Sequence, residues 1–264
     1  MPKKLPTELI YQVFSLLIAF IVVHALYVAL VRPNAQTHLE QQAAALAADK
    51  NHVVADSFYV VVRDYEQEAC FILMLWALAI LGYKGVKTWR QQQLLGRDLL
   101  QLPPDLPIGR EDTRLLAERL ARLPEPMQDY VLPRALQTAV ERYAATGHVQ
   151  DVSTAARAVC ESEGERMESE LSTIRYIAWA IPSVGFIGTV RGIGDALGQA
   201  HRAVEGDITS VTESLGVAFN STFVALVLSI VLMFFIHQVQ RMQEQLALDS
   251  ERYVDLWFIR RLRS

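Results

Sequence analysis

Four apolar stretches alternate with charged segments rich in Leu, Ala and Gln along this 264-residue chain. A helix needs about 20 mostly apolar residues to cross the hydrocarbon core of a bilayer. The stretches over 9–31, 69–86 and 215–236 meet that requirement. The uncharged stretch over 177–190 is shorter, and it spans only if its flanking charged side chains reach the interface or face protein or water. The pattern predicts an all-α, polytopic membrane protein with four transmembrane helices and a helical cytoplasmic domain.

The segments between the apolar stretches carry helical signals of their own. Residues 43–48 are strong helix formers, and no Gly or Pro occurs between Asn34 and Gly82, so we expect a helical segment that leads into the second span. We expect Pro33 to end the first span, because proline has no backbone N–H to continue the helix. After the second span, prolines separate three predicted helices at 111–122, 132–146 and 151–172.

The distribution of Lys and Arg predicts the orientation, with both termini cytoplasmic. Basic residues precede the first span and cluster after the second and fourth, whereas the intervening outer segments hold far fewer. The predicted segments are 1–33 (first span after a short cytoplasmic N-terminus), 34–67 (extracytoplasmic and helical), 68–87 (second span), 88–172 (cytoplasmic helical domain), 173–197 (third span), 198–213 (extracytoplasmic loop), 214–237 (fourth span) and 238–264 (cytoplasmic C-terminal helix).

The C-terminal segment shows apolar residues at near-helical spacing, from Val239 to Trp257. Two interpretations remain open for it. We favour packing against the cytoplasmic helices of a neighbouring copy; the alternative is a surface-lying membrane anchor that uses Trp257, Phe258 and the terminal arginines.

Composition narrows the functional classes. A net charge of −4 and a pI near 5.9 give no reason to expect a nucleic-acid partner. Two cysteines cannot form a disulfide framework or a structural zinc site, and the six histidines show no ligand spacing. The glycine-rich run 192–198 lacks the spacing of a dinucleotide loop. We therefore expect no enzyme activity, no cofactor and no metal site.

Small residues form one face in each of the last two spans. The offsets 0, 4, 7 and 11 connect Gly185 to Ala196 in the third span, and they recur from Ala218 to Ser229 in the fourth. Small side chains let helix backbones approach closely in lipid. We interpret five of them as packing or pore-lining residues: Gly185, Gly188, Gly192, Ala218 and Ala225.

Hydroxyl groups accompany these small residues at Thr189, Ser221 and Thr222. Each hydroxyl either bonds a backbone carbonyl one turn back or lines a narrow polar path. No Asp, Glu or Lys lies in the uncharged centre of any span. If the chain conducts protons, the titrating group must therefore come from another subunit.

Arg191 closely follows Thr189 and needs a partner if it is desolvated. Asp195, one helical turn further on, is the candidate partner. The pair either has a functional role or is a plain ion pair at the membrane interface.

Two segments resemble motifs of the MotA/TolQ/ExbB proton-channel family. Residues 181–193, IPSVGFIGTVRGI, are similar to its penultimate-span motif, and residues 215–226, LGVAFNSTFVAL, to its last-span motif. With their order and spacing, the resemblance covers about residues 170–240. Four spans with a cytoplasmic domain between the second and third are similar to the flagellar stator protein MotA, whereas ExbB and TolQ have three spans.

The resemblance implies an ion-conducting stator or motor subunit of a bacterial inner membrane. Five copies would surround two copies of a single-span partner of the MotB/ExbD/TolR type, and a membrane Asp of that partner would face a Thr from each of the last two spans. Thr189 matches one position and Thr222 the other, with Ser221 adjacent. Asn220 occupies a place where related sequences often have an acidic residue, so these four side chains are the candidate ion pathway.

Two alternatives to the proton-driven motor stay open. The chain is then either a non-conducting membrane scaffold that anchors an extracytoplasmic partner, or a sodium-driven variant of the same motor, because polar residues near the hydroxyls suit both ions.

Overall fold

The structure, a computed structural model, describes residues 7–48, 57–101, 103, 107–204 and 208–263. Within these ranges every regular element is a helix, apart from one isolated β-bridge. The α-helices are α1 (Thr7–Leu26), α2 (Arg32–Ala48), α3 (Phe58–Val61), α4 (Tyr65–Leu95), α5 (Thr113–Ala121), α6 (Glu125–Gln128), α7 (Val131–Thr146), α8 (Val149–Glu170), α9 (Ser172–Gly198), α10 (Ala200–Val204) and α11 (Thr209–Trp257).

The chain divides into two compact units. Unit 1 comprises 1–81 and 173–236, and unit 2 comprises 82–172 and 237–264. Four helical stretches are long and apolar enough to cross a membrane, and they lie within Glu8–Ala45, Tyr65–Leu95, Val149–Gly198 and Thr209–Arg261. The predicted fold class is therefore confirmed: this is an all-α, polytopic membrane protein with four transmembrane helices.

Pro33 does not end the first helix as the sequence predicts. The helical conformation runs from α1 through a π-helical turn, Tyr27–Val31, and continues into α2. The backbone N–H of Arg32 bonds the carbonyl of Tyr27, five residues back. A π-turn changes the local hydrogen-bonding register, which is how a helix absorbs the missing donor and the bulk of a proline ring. Residues 49–56 lie outside the described residues, so the expected helical segment 34–67 is seen only in part.

Unit 1 buries one narrow stripe of its first helices. Every fourth residue from position 15 to position 35 is buried: Ser15, Ala19, Val23, Tyr27, Val31 and Ala35. Many large apolar side chains beside this stripe are exposed, among them Phe14 at 61% and Ile18 at 58%. Contiguous apolar exposure of this extent is costly in water and is typical of a lipid-facing surface.

Unit 2 has its own hydrophobic core, built around the hairpin of α7 and α8. The hairpin turns at Gly147, whose φ of +68° is the left-handed conformation that glycine adopts without strain. Side chains from the end of the chain complete the core, among them Leu246, Val254 and Phe258. The C-terminal segment thus continues the fourth span as one helix, and its apolar face packs within its own chain, which neither sequence-based interpretation anticipated.

Alternating charges link three helices of unit 2. Lys84 of α4 is 3% exposed at its side chain and pairs with Glu170 at 2.8 Å. Arg166 bridges Glu170 and Glu163 at 3.3 Å each, and Glu163 also pairs with Arg134 of α7. The chain of pairs compensates each charge that the helical core buries.

Candidate functional site

The helices α9 and α11 cross at a very short distance inside unit 1. A Cβ atom added to Gly192 would lie 2.8 Å from the Ala218 Cβ and 2.8 Å from the carbonyl oxygen of Ser214. At Gly188 it would lie 2.6 Å from the Ser221 Cβ, and at Gly185 it would overlap the Ala225 Cβ. Since real Cβ contacts are not this short, only glycine fits at these three positions. The structure thus brings together the small residues that the sequence singled out.

Two threonine hydroxyls meet across this crossing. The Oγ1 atoms of Thr189 and Thr222 are within hydrogen-bonding distance of each other. The Thr189 hydroxyl also lies 2.9 Å from the carbonyl oxygen of Ala218, and the Thr222 hydroxyl lies 3.3 Å from that of Gly185. Each hydroxyl has one proton, so two of these three contacts are hydrogen bonds at any moment, and either threonine can be the donor to the other. Of the two sequence-based options, these hydroxyls do not take the bond to their own helix one turn back.

Ser221 and Asn220 are placed differently. Ser221 is fully buried, and its hydroxyl donates to the carbonyl of Val217, one turn back on its own helix, at 2.9 Å. Asn220 is half-buried beside it. Ser221 therefore closes the crossing next to the hydroxyl pair, since its side chain fills the space in front of Gly188.

A proline in α9 leaves a backbone carbonyl available for a second polar contact with α11. Pro182 lies inside α9 and has no N–H to donate to the carbonyl of Ala178, four residues earlier. The hydroxyl of Ser229 donates to that carbonyl at 3.0 Å from α11. A hydroxyl of the neighbouring helix therefore satisfies the acceptor that the proline frees.

Arg191 has a nearer partner than the one the sequence indicated. Its guanidinium binds both carboxylate oxygens of Glu66, with Nε to Oε1 at 2.7 Å and Nη2 to Oε2 at 2.9 Å. The predicted partner, Asp195, lies 3.8 Å from Nη1. The bidentate bond is the stronger interaction, so the main pair of Arg191 joins α9 to the start of α4.

Further charged side chains surround the start of α4. Glu68, 7% exposed at its side chain, pairs with Arg32 and with His24, whose Nδ1 lies 2.6 Å from its Oε1. Burial raises the pKa of the Asp64 carboxyl above its usual value, although the adjacent guanidinium of Arg63 acts in the opposite direction.

Sequence reasoning missed Glu66 as a neighbour of the hydroxyls. The Cβ position of Gly188 lies 3.3 Å from the Glu66 Cγ, so the carboxylate stem packs beside the helix crossing. The available signal was three acidic residues, at positions 64, 66 and 68, at the outer end of a predicted span. The contact of Glu66 with α9 cannot be predicted from these acidic residues, because 125 positions separate Glu66 from Arg191.

Comparison with protein families identifies this part of the chain. Residues 126–252 match the model of the MotA/TolQ/ExbB proton channel family, a region that contains both threonines, Arg191 and the three tightly packed glycines. Comparisons with curated proteins and with solved structures gave no significant match. The match confirms the predicted resemblance: residues 126–252, just under half of the chain, are similar to the MotA/TolQ/ExbB proton channel family.

Proposed function

We propose that this chain is an ion-conducting stator or motor subunit of the MotA/TolQ/ExbB type. In this proposal several copies, five by the family resemblance, surround a single-span partner of the MotB/ExbD/TolR type. Proton flow across the inner membrane then drives rotation or force. The observation that carries the proposal is the hydroxyl pair of Thr189 and Thr222, which lies at the crossing of two transmembrane helices within the region that matches the family.

The chemistry of the pair supports a role in handling an ion. Each hydroxyl has one proton to donate and two lone pairs to accept, and the carbonyls of Ala218 and Gly185 lie in the same cluster. An acid of the partner could therefore donate to this cluster when protonated and accept from it when ionised. Since hydroxyls do not titrate near neutral pH, the charge itself is assigned to the partner's membrane carboxylate.

The glycine contacts support a role in which the helix pair acts as a rigid wall. Gly185, Gly188 and Gly192 bring the backbones of α9 and α11 together without room for another side chain. Such a crossing holds the two hydroxyls at a defined separation. An ion path needs coordinating groups at defined positions in order to select among ions.

In this proposal the membrane potential supplies the energy for each step of the motor. One proton that crosses a potential of 100 mV releases about 2.3 kcal/mol. Protonation of the partner's carboxylate would remove its charge and weaken its hold on one hydroxyl pair, so the ring could step to the next pair. The family resemblance implies the bacterial inner membrane, and the distribution of Lys and Arg assigns both termini to the cytoplasm.

The test is proton flux through the assembled complex in vesicles, with a single-span partner encoded beside this chain. Thr189→Val and Thr222→Val keep the side-chain shape and remove the hydroxyl, so they should abolish flux while the complex still assembles. Thr189→Ser should retain flux. Ser229→Ala removes another hydroxyl contact between the same two helices and is the matched control, expected to conduct.

Two outcomes would redirect the proposal. Flux in response to a sodium gradient alone would favour the sodium-driven variant, for which the four oxygens around Thr189 and Thr222 are suitable ligands. A complex that binds its partner but conducts neither ion, with or without the threonines, would favour the non-conducting scaffold.

A further inference from the structure

The ion pair of Arg191 and Glu66 joins α9, just after Thr189, to the start of α4. Arg191 follows Thr189 by two positions on α9, and Glu66 is in the first turn of α4. The Glu66 side chain is 13% exposed and that of Arg191 is 43% exposed. One charge of the pair is thus largely withdrawn from solvent, while the other remains partly accessible.

Contacts with one glycine connect this pair to the candidate path. The Cβ position of Gly188 faces the Ser221 side chain on one side and the Cγ of Glu66 on another, at 2.6 Å and 3.3 Å. Gly188 is the residue directly before Thr189. The aliphatic stem of Glu66 is therefore packed against the residue that precedes Thr189, while its carboxylate binds Arg191.

The guanidinium is a permanent positive charge, because arginine is not deprotonated in proteins. A fixed positive charge near a narrow path in a low-dielectric medium repels protons and metal cations, and pores use arginine in this way to exclude them. For a path that conducts cations, an uncompensated Arg191 would be a barrier. Glu66 accepts hydrogen bonds from two nitrogens of Arg191, Nε and Nη2.

We propose that Arg191 and Glu66 form a charge filter on the ion path, in which Glu66 cancels the repulsion that Arg191 exerts on cations. This inference rests on the proposed ion-conducting function. Asp195, at 3.8 Å from Arg191 and 55% exposed at its side chain, contributes less to the cancellation than the bidentate Glu66. Glu66 is a selectivity-determining residue supplied by the chain itself, in addition to the carboxylate expected from the partner.

A purely structural pair would behave differently. If the pair only fastened α4 to α9, loss of either side chain would weaken the assembly to a similar degree, and loss of both would be no better. A charge filter instead gives effects of opposite sign. Glu66→Gln removes the bidentate carboxylate and leaves Arg191 with the weaker contact to Asp195, whereas Arg191→Gln leaves the Glu66 carboxylate without its guanidinium.

The experiment measures cation flux in vesicles that contain the complete complex, normalised to assembled complex. We expect Glu66→Gln to lower the flux by about tenfold or more. Arg191→Gln should equal or exceed the wild-type flux, and the double variant should return to within about threefold of wild type, because both charges are gone. Glu213→Gln is the matched control: its carboxylate is 53% exposed and pairs with Arg63 at 2.8 Å, so the flux should not change.

The outcomes separate this inference from the proposed function. Equal losses in both single variants without recovery in the double variant would overturn the filter and leave a structural pair, as would a Glu66→Gln complex that conducts like wild type. If the wild-type complex conducts no cation at all, both the proposed function and the filter fall. A conducting wild type that Thr189→Val silences, together with unchanged Glu66→Gln flux, removes only the filter.

Discussion

The hydroxyl of Ser229 donates to the carbonyl oxygen of Ala178, at 3.0 Å, in place of the backbone donor that Pro182 lacks. A proline in one transmembrane helix is thus compensated by a hydroxyl on the next. In lipid, where no water can replace the lost donor, this contact links the local sequence of α9 to the identity of a residue on α11.

Ser229→Ala should destabilise unit 1 by about 1–3 kcal/mol, because it leaves the buried Ala178 carbonyl without this donor. Pro182→Ala restores an N–H that can bond the same carbonyl within α9. The double variant should therefore lose less stability than Ser229→Ala alone, measured as the unfolding midpoint in detergent. An additive double variant would contradict the compensation.

Gly192→Ala should destabilise the helix crossing by about 1–3 kcal/mol through overpacking. The new Cβ would lie 2.8 Å from the Ser214 carbonyl oxygen and 2.8 Å from the Ala218 backbone nitrogen, neither of which can move alone. Gly194 is the matched control on the same helix, since its Cβ position has no neighbour within 4 Å. Thermal unfolding should place Gly194→Ala at or above the wild type, and equal midpoints for both variants would refute the tight crossing.

Arg32→Gln should cost about 3–5 kcal/mol, since it removes a guanidinium from Glu68, a carboxylate that is only 7% exposed. Arg114→Gln provides the comparison. Its partner Glu118 is 51% exposed and can be solvated by water, so the loss should be at most about 1 kcal/mol. Chemical unfolding in detergent measures both, and a larger effect at Arg114 would show that burial does not govern these pairs.

Asp64→Asn should raise the stability at neutral pH. Burial raises the pKa of Asp64, so the folded state binds this proton more tightly than the unfolded chain. The resulting stability is present below the unfolded pKa, about 3.9, and is lost as the pH rises through the higher folded value. The gain from Asp64→Asn should therefore shrink as the pH falls towards about 4. A gain that is independent of pH would point to a cause other than ionisation.

Tyr143→Phe should loosen the end of the chain in unit 2. The buried Tyr143 hydroxyl contacts the carbonyl oxygens of Arg263 at 2.8 Å and Ile108 at 3.3 Å, beside the β-bridge of Ile108 with Leu262. A loss of about 1 kcal/mol is expected, with faster amide hydrogen exchange at Ile108 and Arg263.

Tyr253→Phe is the spatial control for that experiment. The Tyr253 hydroxyl accepts from the Leu99 amide at 3.1 Å and donates to the Arg97 carbonyl at 2.9 Å. Its loss should accelerate exchange at Leu99 and spare Ile108. Identical exchange patterns in the two variants would mean that unit 2 opens only as a whole.

Much of the candidate site is predictable from local patterns. The four spans follow from length and hydropathy, because a bilayer imposes the same requirement on any helix that crosses it. The offsets of Gly185, Gly192 and Ala218 follow from helix periodicity, which places residues of one stripe on one face whatever they contact. The resemblance of the last two spans to the MotA/TolQ/ExbB family adds Thr189 and Thr222 as positions of interest.

Other features depend on helices that are distant in sequence. Asp195 was the natural partner for Arg191 because it lies one turn away, yet Glu66 provides the bidentate contact. Likewise, the Ser221 hydroxyl contacts a carbonyl of its own helix, whereas the hydroxyl of the next residue, Thr222, contacts a carbonyl of α9. Neither result has a local sequence signal.

The sequence by itself determined the helical class, the number of spans and the faces that carry small and hydroxylated residues, since each follows from periodicity and the cost of polar groups in lipid. Only the tertiary structure decided that α1 continues past Pro33, that the C-terminal helix packs on its own chain, and that Glu66 of α4 packs beside Gly188 and binds Arg191 of α9. The physical reason is that these side-chain contacts depend on which helices pack together. That packing is set by the free-energy minimum of the whole fold, and no single segment encodes it.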